Sequence, residues 1–223
     1  MAQRILTPDR IDERLTMTYD EYLAWVDEDT HAEWVEGEVF VFMPIKGRHV
    51  EVVAFVFQLI GYFVARRRLG RSFTAPLRLL LRDGQAVREP DIAVLIAAHS
   101  ERFTSNGIVG AADLIVEVLS SDSVTRDRRD KLREYAEAGV PEYLIVEGRE
   151  GRRGVTLLRL HEEGYFLEVA PDAGGRLESL VIPGLWIDPT WFDEVPLPDP
   201  FEIGDAMLAG GARTERATST PQV

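Results

Sequence analysis

Residues 113–147 read DLIVEVLSSDSVTRDRRDKLREYAEAGVPEYLIVE and predict a strand, a helix and a second strand joined by short connections. Leu114-Ile115-Val116 is typical of a buried strand, a helix follows from about residue 124 to 138, and Gly139 ends it before the apolar run 143–146. This order predicts a right-handed crossover unit, whose two strands lie side by side and parallel under the helix.

One carboxylate, Glu117, interrupts the first of these strands. A buried carboxylate must be paired, protonated or bound to a metal, because ionised groups lose much of their hydration when they are buried. On the helix, Asp127, Lys131 and Tyr135 are spaced four residues apart and therefore share one face. The lysine of the helix and the carboxylate of the strand are predicted to meet.

Composition limits what the protein can be. The chain has 223 residues, 45% of them apolar and 28% charged, which is enough for one folded core. The absence of cysteine excludes a thiolate nucleophile and fits a reducing cytoplasm. The first 15 residues lack the apolar core of a secretion signal, and the apolar run 52–65 is shorter than the roughly 18 residues of a membrane span. We therefore expect a cytoplasmic protein with no membrane partner.

The net charge of −13 argues against a surface that binds polyanions broadly. Two basic clusters remain, around residues 66–71 and 126–133. They fit either solvated helix faces or a basic groove for DNA, and the sequence leaves both interpretations open.

The domain prediction divides the chain into an N-terminal arm (1–16), a folded α/β or α+β domain (17–194) and a disordered tail (195–223). Within the domain, Thr18 begins a capped helix and residues 33–43 form a hairpin. A long apolar helix over 49–69 is predicted to lie in the core or in a subunit interface, and we expect a homodimer. The remaining predictions are strands over 71–81 and 90–96 around a turn at 82–85, a hairpin over 155–169, and an edge strand over 180–182.

Asp91, at the start of the strand 90–96, is the second unexplained acid. Taken singly, Asp91 could cap a turn, Glu117 could pair with an arginine, and Lys131 could pair with Asp127 on the helix surface. Together, two carboxylates on neighbouring strands and a lysine are what metal-assisted phosphodiester hydrolysis requires. We expect the two carboxyl groups about 4 to 6 Å apart, close enough to share one cation.

The segments TYDEYLAW, EWVEGEVF, EPDIAVL, EVLS and GVPEYLIV resemble the Uma-two family, a group assigned as endonucleases within the PD-(D/E)XK restriction-endonuclease-like superfamily. The resemblance covers residues 17–192 and implies a mixed β-sheet flanked by helices, with an N-terminal helix and hairpin and a C-terminal hairpin. In the superfamily pattern a lysine stands two residues after the acid, where this chain has Leu119. The resemblance supplies Lys131 from the helix instead.

The resemblance implies an endonuclease that uses Mg²⁺ or Mn²⁺ and acts on DNA, with RNA left open. Asp91 and Glu117 would bind the metal together with the Val118 carbonyl, and Lys131 would act on the attacking water. Pocket positions would fall to His49, Glu38, Asp127 and Tyr135, although His49 also fits a helix start or the core. Two alternatives are a catalytically silent binding or regulatory module and a structural homodimer built on the long helix.

Overall fold

A computed structural model describes residues 11–27, 30, 32–42, 47–81, 86–119, 125–149 and 154–217. Its main sheet has six strands in the order β13-β12-β11-β10-β7-β4. In chain order these are β4 (Gly70–Thr74), β7 (Ile92–Ile96), β10 (Leu114–Leu119), β11 (Glu142–Glu147), β12 (Val155–Leu160) and β13 (Phe166–Glu168). The mixed sheet and its flanking helices confirm the predicted fold class.

The crossover unit is confirmed at the centre of this sheet. Strand β10 pairs in parallel with β11, with Glu117 opposite Ile145, and helix α3 (Thr125–Glu137) connects them. On its other side β10 pairs antiparallel with β7, with Val116 opposite Ile92. The predicted hairpin of β12 and β13 extends the sheet beyond β11.

A second, seven-stranded sheet has the order β1-β3-β2-β6-β5-β9-β8. Its strands are β1 (Ile11–Thr16), β2 (Ala32–Val35), β3 (Glu38–Phe42), β5 (Leu79–Leu81), β6 (Ala86–Arg88), β8 (Phe103–Thr104) and β9 (Gly107–Val109). The predicted hairpin at 33–43 is confirmed as β2 and β3, and the helix α1 (Tyr19–Trp25) before it carries the predicted capping box at Thr18.

The predicted strand over 71–81 is in fact two strands in different sheets. Strand β4 ends at Thr74 in the main sheet and β5 begins at Leu79 in the second sheet. Pro76 lies between them and cannot donate a backbone hydrogen bond to a ladder. Leu79 and Leu81 then pack with Ala93 of the main sheet, so the two sheets share one core cluster. The predicted turn at 82–85 lies outside the described residues.

Helix α2 (Arg48–Arg67) packs across the other face of the main sheet. Its side chains Phe55, Leu59 and Phe63 are buried in a core with Val116 and Val146. The helix is long and apolar enough to cross a membrane by composition alone, but in this fold it lies in the core.

The two predicted termini differ from the structure. Residues 11–16 of the expected arm form β1, which pairs with β3. Helix α4 (Pro200–Ala217) occupies much of the expected disordered tail, and its Met207 is buried in the core with α2. The Asp199 carboxylate accepts the backbone N–H of Phe201 and caps the helix start. Packing against α2 helps to stabilise this 18-residue, glycine-containing helix, and local sequence does not reveal this long-range contact.

The predicted edge strand at 180–182 is a turn. It lies between two short strands, β14 (Leu177–Glu178) and β15 (Trp186–Ile187), which pair with each other. The buried Glu142 carboxylate accepts the Ser179 hydroxyl and, at 2.9 Å, the Leu180 backbone N–H. These bonds hold the backbone in a turn, and Leu180 is left exposed.

Candidate active site

Two acids meet at the open ends of β7 and β10. Asp91 directly precedes β7, and continuing the register of Val116 with Ile92 by one residue brings Glu117 level with Asp91. The strands are therefore neighbours, as predicted. Strand alternation puts both acids on the side of Ala93 and Ile115, which pack towards α3 and the second sheet. The separation of the two carboxyl groups stays a prediction.

Glu117 is bound by two side chains of the crossover helix. One of its oxygens, Oε1, accepts hydrogen bonds from Lys131 Nζ at 3.1 Å and from the Tyr135 hydroxyl at 2.9 Å. Burial raises the pKa of Glu117 to about 7, with Lys131 opposing the shift and Asp91 adding to it. Burial also raises the pKa of Tyr135, with the Glu117 carboxylate adding to the shift and Lys131 opposing it, so the Tyr135 hydroxyl stays a donor at neutral pH.

Asp91 is fixed by the backbone of β10. Its Oδ2 accepts the Val118 backbone N–H at 2.7 Å and lies 3.4 Å from His49 Nε2. His49 is buried in the first turn of α2, so the start of this helix reaches the end of the main sheet. The structure thus brings His49 to the predicted acids.

Lys131 is shared between two carboxylates. Its Nζ lies 3.1 Å from Glu117 Oε1 and 3.2 Å from Glu33 Oε1, and its side chain is only 11% exposed. A lysine paired with Asp127 on the helix surface would be far more exposed. The side chain of Asp127 itself lies outside the described residues. Lys131 therefore bridges β10 of the main sheet and β2 of the second sheet.

Glu33 is the site residue that the sequence reasoning missed. It is 1% exposed, and its Oε2 accepts a hydrogen bond from Arg88 Nη1 at 2.7 Å. Arg88 in turn binds both carboxylate oxygens of Glu134 on α3, at 2.7 and 3.0 Å. Burial opposes ionisation of Glu33, but Lys131 and Arg88 outweigh it and lower the pKa of Glu33. A carboxylate between apolar neighbours in EWVEGEVF was the available signal.

The predicted pocket residue Glu38 and the apolar Leu119 differ in placement. Glu38 is exposed at the start of β3, next to the hairpin turn, whereas Glu33 on the paired strand points into the core. Leu119, in the position of the superfamily lysine, packs at the edge of the core cluster that contains Tyr135. Because Leu119 is apolar and cannot bind Glu117, the cation beside Glu117 is the Lys131 ammonium.

The end of β11 comes very close to the site strand. Gly148 N donates to the Leu119 carbonyl at 3.0 Å. A Cβ atom at residue 148 would lie 2.5 Å from Val118 Cγ1 and 2.8 Å from the Leu119 carbonyl oxygen. Only a glycine at residue 148 fits this close to β10, so it leaves Val118 in the position where its N–H binds Asp91.

The donor set fits a divalent cation held by few protein ligands. No group of three or more His, Cys, Asp or Glu side chains within the described ranges is arranged to hold a metal. Among the same residues, Glu117 Oε2 and Asp91 Oδ1 accept no hydrogen bond, because the contacts of these carboxylates go to Oε1 and Oδ2. Magnesium commonly binds one or two carboxylates and keeps several waters, so two free oxygens suit it.

The mixed sheet with its flanking helices is a nuclease-like α/β fold. Residues 19–190 match the profile of the Uma2 family, described as "Putative restriction endonuclease". The chain belongs to this family.

One protein sequence and one solved structure are similar to this chain at low sequence identity. An uncharacterized protein of Synechocystis sp., sll1609, is 24% identical over 135 residues, which is 59% of this chain and 75% of that protein. A crystal structure described as "a putative nuclease belonging to DUF820", from Anabaena variabilis, superposes with a TM-score of 0.63 at 20% identity. The superposition covers 79% of this chain and 97% of the Anabaena chain. At this sequence identity, the similarity supports the fold alone.

Proposed function

We propose that the protein is a magnesium-dependent endonuclease that hydrolyses phosphodiester bonds of DNA. The observation that carries the proposal is the convergence of Asp91, Glu117 and Lys131 at the ends of two neighbouring strands. Each carboxylate keeps one oxygen without a protein donor among the described residues. Manganese is expected to substitute for magnesium.

Val118 completes the proposed ligand set. Its N–H is directed at Asp91, and in an extended strand the N–H and C=O of one residue point to the same edge. The Val118 carbonyl is therefore expected to lie beside Asp91 and Glu117. A bound divalent cation would neutralise phosphate charge and lower the pKa of an attacking water.

The charge of the cluster favours such a cation. Among the described residues, four carboxylates lie together with two cationic side chains. The carboxylates belong to Glu33, Asp91, Glu117 and Glu134, and the cations to Arg88 and Lys131. Burial raises the pKa of Glu117 to about 7, and the Asp91 and Glu33 carboxylates add to the shift. A cation bound beside Glu117 would stabilise its ionised form.

The other side chains have supporting roles in this proposal. Lys131, 3.1 Å from Glu117, would orient the attacking water and offset charge on the phosphate as the bond breaks. Tyr135 holds the Glu117 carboxylate through its hydroxyl, and His49 lies against Asp91 on the opposite side of the site.

A catalytically silent module is the second candidate. It is favoured by the net charge of −13, which is unsuited to broad contact with DNA, and by Leu119 in the superfamily's lysine position. A homodimer and a cytoplasmic location are further expectations of the nuclease proposal, and the choice between DNA and RNA as substrate stays open.

The decisive test is nicking of supercoiled plasmid by the purified protein with Mg²⁺, with Mn²⁺ and with EDTA. We expect metal-dependent nicking that Asp91→Asn and Glu117→Gln abolish, with divalent-metal binding reduced in both variants. Glu168→Gln makes the same charge change at an exposed strand position and should nick like the unmodified protein. No nicking of any DNA or RNA would favour the silent module. Nicking that persists in EDTA would exclude the metal-dependent mechanism.

A further inference from the structure

We infer that Glu33, held by Arg88, is a positioning residue that keeps the Lys131 ammonium directed at Glu117. This inference rests on the proposed nuclease function, in which Lys131 acts at the cleavage site. It assigns a role to a buried carboxylate of the second sheet that lies outside the pattern of acids on β7 and β10.

Both oxygens of Glu33 already have donors. Oε2 accepts Arg88 Nη1 at 2.7 Å, and Oε1 accepts the Glu89 backbone N–H at 3.2 Å and lies 3.2 Å from Lys131 Nζ. Asp91 and Glu117 differ in this respect, because each keeps one oxygen without a donor among the described residues. Glu33 is therefore suited to hold a cation of the chain, and the other two acids are suited to hold a metal.

Arg88 fixes the position of Glu33 relative to the helix. It lies at the end of β6, which pairs with β2 through Trp34 and Val87. One part of its guanidinium binds Glu33, and the other forms a two-point contact with Glu134 on α3. Because a guanidinium is planar and rigid, this pairing sets the distance between β2 and α3.

Lys131 lies inside that frame, one helical turn before Glu134. A lysine has a flexible four-carbon stem, so a lysine on a helix needs more support than one on the site strand itself. Glu33 on one side and Glu117 on the other, at 3.2 and 3.1 Å, restrict the ammonium to the space between the two sheets. Catalytic groups must be held closely, since displacement by about 1 Å can cost 100-fold in rate.

The first experiment compares nicking rates and metal affinity for Glu33→Gln, Lys131→Met and the double variant. Glu33→Gln keeps the volume of the side chain and removes its charge. We expect its nicking rate to fall about 10- to 100-fold while its Mn²⁺ affinity stays within about threefold of the unmodified protein. The double variant should be no slower than Lys131→Met alone, because Glu33 acts through Lys131.

Three outcomes of this experiment would overturn the inference. They are a Glu33→Gln rate within about threefold of the unmodified protein, multiplied losses in the double variant, and loss of Mn²⁺ binding in Glu33→Gln, which would make Glu33 a metal ligand. Glu168→Gln is the matched control, since it removes one carboxylate from an exposed strand position.

A second measurement does not depend on cleavage. The sequence contains only two lysines, Lys46 and Lys131, so lysine labelled with ¹⁵N gives two ammonium signals, which Lys131→Met assigns. The Lys131 signal should be sharp and slow to exchange in the unmodified protein and in Glu168→Gln, and broadened in Glu33→Gln.

This measurement separates the two proposals. An unchanged Lys131 signal in folded Glu33→Gln would overturn the positioning role whatever the activity. If the unmodified protein cleaves no nucleic acid while the signal broadens in Glu33→Gln, the nuclease function fails and the structural positioning of Lys131 by Glu33 stands. If Glu33→Gln does not fold, Arg88→Lys, which keeps the charge but loses the two-point contact, provides the same comparison.

Discussion

Leu119 stands two residues after Glu117, where the sequence resemblance leads us to expect a lysine, and the cationic side chain beside Glu117 belongs instead to Lys131 on α3. The substitution is possible because β10 and α3 belong to one crossover unit, which places the helix face directly over the strand end. Burial makes this lysine different from a surface residue. Its ammonium has two carboxylates within 3.2 Å and little contact with solvent.

Replacing Lys131 by Met tests its chemical role. Met keeps much of the apolar stem and removes the charge, so metal binding should change little while nicking falls by about 100- to 10,000-fold. Mn²⁺ titration and plasmid nicking at matched protein concentrations measure the two effects. A variant that nicks normally, while Glu117→Gln does not, would remove Lys131 from the mechanism and keep the metal site.

Glu89 provides a prediction about pH. Burial, followed by the nearby Glu33 carboxylate, raises the pKa of Glu89 to about 8 from 4.5. Between these values the folded chain binds a proton that the unfolded chain does not, so Glu89 makes unfolding easier as pH rises through this window. Glu89→Gln should match the unmodified protein near pH 5 and exceed its free energy of unfolding by roughly 1 to 3 kcal/mol above pH 8.

Urea unfolding of the metal-free proteins in EDTA, at several pH values, measures this difference. The other titrating groups, Glu117 included, are shared by both proteins, so the difference between the two curves isolates Glu89. Curves that stay parallel from pH 5 to pH 9 would show that Glu89 has an ordinary pKa in the folded state.

At the level of elements, α4 covers the apolar helix α2. Met207 is buried against the core, Tyr62 of α2 donates its hydroxyl to Asp205 at 2.6 Å, and the rings of Tyr62 and Phe201 meet edge to face. A Cβ atom at Gly204 would lie 2.6 Å from Tyr62 Cδ1. The glycine is what permits this close approach of the two helices.

Gly204→Val should therefore push α4 away from α2. We expect a loss of about 1 to 3 kcal/mol in the free energy of unfolding, because the Tyr62 ring is held by its hydrogen bond and cannot move freely. Gly210→Ala is the control, since a Cβ there meets no atom within 4 Å and alanine favours the helix. Equal stability of the two variants in thermal unfolding would mean that α4 does not dock as described.

For the whole molecule, the packing of α4 bears on the expected homodimer. The dimer was expected because an apolar α2 needed a partner surface, and sheet and α4 now supply much of that cover within one chain. The homodimer stays a prediction, but the need to cover the apolar surface of α2 no longer argues strongly for it.

Light scattering at micromolar concentration tests it, with Gly204→Val measured alongside. A mass near 50 kDa, twice the 25.1 kDa of the chain, would support the dimer. If the unmodified protein is a monomer and the Gly204→Val variant self-associates, α4 normally shields the apolar face of α2.

The sequence by itself determined the parts of the molecule that depend on local pattern. Strand and helix periodicity within residues 113–147 was sufficient for the parallel pairing of β10 and β11, and for bringing Lys131 and Tyr135 to Glu117. The two acids were visible because a carboxylate inside an apolar strand needs a physical explanation. Capping chemistry at Thr18 was equally local.

Only the tertiary structure decided what joins the two sheets. Glu33 and Arg88 are 55 residues apart in the sequence, and Arg88 and Glu134 are 46 apart. No periodicity links such positions, because their contact depends on how β2, β6 and α3 pack. The same holds for the packing of α4 on α2, which buries Met207 in the core and which no local pattern predicts. Local pattern therefore identified the acids, and long-range packing decided which charges hold the lysine beside them.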